Sequence, residues 1–82
     1  MKISEQLLLL AVKQSLTESI VSPIIVCDAI LENKRDISIL TLRKIQQLII
    51  DRVKLGEISE IDILTWDKVY DTIAEMIGGY QW

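Results

Sequence analysis

The sequence contains no histidine and a single cysteine, Cys27. The first absence removes the commonest general base and the usual zinc ligand. The second excludes a disulfide within the chain and a zinc site built from cysteines alone. With no histidine to pair with it, Cys27 cannot belong to a Cys–His nucleophile, and it reads as a small hydrophobe of the core. Proline occurs once, at Pro23, and glycine three times, so few residues interrupt helices. Phenylalanine is missing, and the other aromatics, Trp66, Tyr70, Tyr80 and Trp82, all fall near the C-terminal end. A chain poor in aromatics and rich in Ile and Leu suits a packed helical core better than a barrel or sandwich.

No long hydrophobic run occurs either. Leu7-Leu8-Leu9-Leu10-Ala11-Val12 falls far short of the roughly 20 residues a membrane span needs. Glu5 precedes it and no clean small-residue cleavage site follows, which argues against a signal peptide. The expectation is a soluble, cytoplasmic protein. No Asp-x-Asp-x-Asp-Gly run offers a calcium loop.

What is present is 82 residues, half of them hydrophobic, with a net charge of −3. That composition is too apolar for disorder and long enough for one core, so residues 1–82 read as a single helical domain.

The clearest positive signal is a hydrophobic staple, an apolar residue before a Ser or Thr cap paired with another five positions on. It occurs at Ile3-Ser4 with Leu8, and at Val21-Ser22 with Val26, where Pro23 takes the first helical position. It recurs at Leu40-Thr41 with Ile45 and at Leu64-Thr65 with Val69. The last two share more: residues 39–45 resemble residues 63–69, and Ile49 falls on Ile73. Two such matches are better explained by two helices starting alike than by a repeat architecture.

These starts predict helices over Glu5–Glu18, Pro23–Asn33, Leu42–Leu55 and Trp66–Ile77, the last two stopped by Gly56 and by Gly78-Gly79. Residues 37–40 and 57–63 alternate apolar and polar, which allows a minor two-stranded pairing between the linkers before helices three and four. The expected fold is all-α, a compact four-helix domain. Helix two, apolar almost all round, is expected in the middle. Helix three carries the stripe Leu42, Ile45, Leu48, Ile49, Val53 and Leu55, with Arg52 inside it, either snorkelling to water or paired with an acid from another segment. Helix four is two-faced. Trp66, Val69, Tyr70, Ile73, Met76 and Ile77 face one way, and Asp67, Asp71 and Glu75 the other.

Candidate functional residues follow from what the core does not use. Residues 56–82 hold six acids and one base. Asp67, Asp71 and Glu75 therefore suggest a docking face for a basic patch on another protein. Leu7 and Leu10 point away from the main stripe of helix one and suggest a contact surface. Tyr80 and Trp82 lie beyond the predicted end of helix four, where they either close the core or anchor a partner. Carboxylate pairs such as Glu60 and Asp62 have no companion residues for acid–base work.

The sequence thus points to a non-enzymatic, acidic protein–protein interaction module that inhibits or regulates a larger protein, with no cofactor, metal or membrane. One alternative is a homodimeric assembly protein in contact through Leu7, Leu10 and Ile50. Another is a small DNA-binding regulator using Arg43 and Lys44 of helix three. Two arguments weigh against it: the acidic balance, and the length of Gly56–Leu64 for a helix–turn–helix turn.

Overall fold

Ser4 opens the first helix, α1 (Glu5–Glu18): its hydroxyl accepts from the Leu7 N–H at 3.1 Å, and its carbonyl from Leu8 at 3.0 Å. Ser22 caps α2 (Pro23–Glu32) in the same way, with Pro23 in the first turn. The buried Asn33 closes α2, its backbone and side-chain N–H groups both donating to the Ala29 carbonyl. These helices lie where their caps predict, except that Asn33 ends α2 from outside it. The chain is described here from a computed structural model over residues 4–18 and 21–80, the Tyr80 side chain excepted. Ile3, the first half of the α1 staple, lies outside the described residues.

The other two starts are corrected. Helix α3 spans Ile39–Leu55 and is capped by Ser38, whose hydroxyl accepts from the Thr41 N–H at 3.2 Å. Helix α4 spans Glu60–Tyr80, and the Ser59 hydroxyl accepts from the Asp62 N–H at 3.3 Å. Thr41 and Thr65 therefore lie inside their helices. Residues 39–45 and 63–69 match in sequence but occupy different depths of α3 and α4.

The two-stranded pairing is not formed, and the described residues contain no strand. The segments that alternate are mostly the first turns of α3 and α4. Starting at Ser38 adds helical hydrogen bonds, and it makes a staple of Ile37 and Leu42, both buried, one turn before the expected one. Gly56 ends α3 in the left-handed conformation, φ 70°, as its position predicts. Gly78 and Gly79 do not end α4; both are helical, and the helix runs on to Tyr80. A helix already anchored by Trp66, Val69, Ile73 and Ile77 tolerates two glycines in its final turn.

The helices form a ring. α1 packs on α2 and α3, and α4 packs on α3 and α2; the diagonal pairs, α1 with α4 and α2 with α3, do not pack together among the described residues. Each helix turns a stripe inward: Leu8, Val12 and Leu16; Val26 and Ile30; Leu42, Ile45 and Ile49; Trp66, Val69, Ile73 and Ile77. The spacing is i, i+3 and i+4 throughout, and each such side chain contributes about 1.5–3 kcal/mol on burial. The radius of gyration is 11.9 Å, close to the ~12 Å expected of a compact chain this long.

The expectation that α2 lies in the middle fails for a geometric reason. A ring of four has no central position, so each helix can bury only one stripe. α2 buries Val26 and Ile30 and leaves Ile24, Ile25 and Leu31 exposed.

Candidate functional site

The outer surface between α3 and α4 is grooved. Only residues 56–59 separate the two helices, which pack against each other as a hairpin. Between them runs an open groove of about 410 Å³. α3 supplies Ile49, Ile50, Val53 and Lys54, and α4 supplies Ile63, Leu64, Asp67 and Tyr70. Ile49 is buried at its base, whereas Val53 and Leu64 stand exposed, Leu64 at 72%. The Gln46 side chain donates to the Tyr70 carbonyl, at 3.4 Å, and ties the two helices together beside the groove.

The helical period accounts for these exposed residues. Leu42, Ile45 and Ile49 set the inward stripe of α3, and its next member is Arg52, not Val53 or Leu55. The broad apolar stripe expected over Leu42–Leu55 therefore splits, and Val53 and Leu55 lie on the surface. Arg52, at the inward position, is half-buried and reaches the Glu57 carboxylate in the following turn at 2.6 Å. Its Nε is buried without a hydrogen-bond partner. Arg52 thus pairs with an acid, but with one in the adjoining turn and not from a distant segment.

Asp67, Asp71 and Glu75 are all exposed along α4. None of them is held in an ion pair among the described residues. Asp67 stands at the groove. Glu75 lines a second depression of about 410 Å³ with Leu31, Lys34, Arg35, Thr72 and Met76. The fold thus brings basic side chains towards both ends of the stripe, Lys34 and Arg35 beside Glu75 and Lys54 across the groove from Asp67.

Leu7 and Leu10 are exposed at 59% and 49%, apart from the groove. Trp82 lies outside the described residues, as does the Tyr80 side chain. Cys27 is a free thiol, half-buried against the core. Arg43 and Lys44 are exposed on α3, and Lys44 shares a depression with Lys13, Leu9, Gln47 and Leu48. The described residues contain no group of three or more Cys, Asp and Glu able to hold a metal ion. No helix among them is long and apolar enough to cross a membrane.

The groove is not legible in the sequence, where Leu64 reads as half of a staple and Val53 as core. Continuing the period of Leu42, Ile45 and Ile49 onto Arg52 is the signal that would have exposed Val53.

A cluster across α1 and α3 is not legible in the sequence either. The Glu5 carboxylate accepts from the Ser38 N–H and the Thr41 hydroxyl, each at 2.7 Å, and from the Ser38 hydroxyl at 3.3 Å. The Thr41 hydroxyl, then the Ser38 N–H, hold the Glu5 carboxyl below its ordinary 4.5, aided by the positive charge of Lys44. In a capping box the third helical residue supplies a carboxylate to the N-cap N–H. Thr41 occupies that position here, and Glu5 from another helix supplies the carboxylate. The cluster is a structural clamp.

Compared with known protein families, curated proteins and solved structures, the chain finds no match.

Proposed function

We propose that this chain acts by binding another protein, as a small acidic interaction module that inhibits or regulates its partner in a reducing compartment. The observation that carries this reading is the row of exposed carboxylates on α4, Asp67, Asp71 and Glu75, none of them in an ion pair among the described residues. A basic patch on the partner supplies the complementary field, which raises the rate of encounter and selects against acidic surfaces. Leu7 and Leu10, and Trp82 at the C-terminal end, are further candidate contacts.

The DNA-binding alternative has less support, although the turn between α3 and α4 is shorter than the sequence suggested. If α4 were the recognition helix, it would bring Asp67 and Asp71 towards phosphates. If α3 were, the unit would be α2 with α3, and these helices do not pack on each other among the described residues.

The experiment is a pull-down from source-cell lysate with and without nuclease, using the native chain beside a charge-reversed D67K/D71K/E75K chain. A stoichiometric protein held by the first and lost by the second supports the reading. Equal capture by both removes the acidic row from it, and binding that disappears with nuclease favours nucleic acid.

A further inference from the structure

The acidic row leaves the groove between α3 and α4 unexplained. Val53 and Leu64 are exposed there, with Ile50 and Ile63 half-exposed beside them. Its two walls also differ in charge: Lys54 stands on the α3 side and Asp67 on the α4 side. The two are not ion-paired to each other, nor to any other described residue.

Those opposite walls decide what fits. A wholly basic partner would meet repulsion at Lys54, and a wholly acidic one at Asp67. A surface with one charge of each sign on opposite sides of an apolar furrow is complementary to itself. A two-fold axis running along the groove lays the α3 wall of one copy on the α4 wall of the other. Lys54 of each copy then faces Asp67 of the second, a contact made twice, as isologous symmetry requires. Val53 and Leu64 of both copies are covered in the middle, and the two hairpins complete a four-helix packing.

We infer that the occupant of this groove is a second copy of the same chain. The interface shares Asp67 with the function proposed above, but Asp71 and Glu75 do not line the groove, so the two can be tested apart.

Sedimentation equilibrium of the full chain at low salt tests this. The native chain is expected to be a reversible dimer. K54E and D67K should each weaken association about tenfold or more, since each sets like charges face to face, and K54E/D67K together should recover most of it. A native chain that stays monomeric at every concentration overturns the inference. So do single reversals without effect, or a double reversal no better than the singles. Circular dichroism verifies the fold of each variant. If a reversal proves to unfold the chain, L64S takes its place, and a dimer indifferent to L64S overturns the interface. D71K/E75K separates the two proposals: it should abolish capture of the basic partner and leave the dimer intact, and a dimer weakened as much as by K54E would overturn the assignment to the groove.

Discussion

Glu5 and Thr41 lie 36 positions apart and are joined by a 2.7 Å hydrogen bond from the threonine hydroxyl to the carboxylate. With the Ser38 N–H donating to the same carboxylate, one acid in the first turn of α1 closes the start of α3. The negative charge also sits where the α3 macrodipole favours it.

This clamp makes stability depend on acid in a defined sense. The folded state holds the Glu5 carboxyl below its ordinary 4.5, so in acid the unfolded chain binds more protons. The contribution is complete above about pH 4.5 and is lost as pH falls through the lowered folded value. Glu5→Gln should therefore be less stable than the native chain at neutral pH, with the gap narrowing below that pH. Urea unfolding from pH 7 to pH 3 measures it, and a gap constant with pH would show that the charge plays no part.

The corrected helix starts make a second prediction. Ser59→Ala should cost ~1 kcal/mol, as the loss of an N-cap does, whereas Thr65→Ala, inside α4, should not carry that penalty. Thermal unfolding of the two variants decides the register. A larger loss at Thr65 would restore the start read from the sequence.

Neighbouring leucines of α3 offer a third. Leu42 is fully buried and Leu40 is 65% exposed. Leu42→Ala should cost about 2–5 kcal/mol, enough to unfold much of so small a protein, and Leu40→Ala within about 0.5 kcal/mol. Chemical denaturation compares them, and similar losses would contradict the inward stripe.

The glycines should respond in opposite directions. A Cβ at Gly78 or Gly79 meets nothing within 4 Å, and both are helical, so alanine at either should add up to ~1 kcal/mol. Gly56 has φ 70°, so Gly56→Ala should lose about 1–2 kcal/mol despite the open space. Melting temperatures of the three variants provide the comparison, and a gain at Gly56 would refute the left-handed cap.

What could be read from the sequence was what neighbouring residues decide. Ser4, Ser22 and Gly56 act through atoms a few positions away, and they mark the start of α1, the start of α2 and the end of α3 where expected. The sequence reads Thr41 as the cap of α3, and the structure has Ser38 there. The difference rests on Ile37 finding a place in the core and on Glu5 arriving from α1, and neither is visible in the neighbouring residues. The position of α2 was misread because its composition is apolar whichever way it faces, and only the ring of contacts shows that Ile24 and Ile25 are outside. The carboxylates of α4 were legible from period alone. The groove beside them was not, because it depends on how two helices sit together.

The clamp and the groove engage opposite ends of α3. Residues 38–41 meet Glu5, and residues 49–54 line the groove. At 1.5 Å per residue these regions are more than about 10 Å apart along the helix, beyond the range at which substitutions usually influence one another. Changes in the groove should then add to changes in the clamp without altering them. The residues of the groove are then free to change over generations while the contacts that keep the chain folded are inherited unchanged.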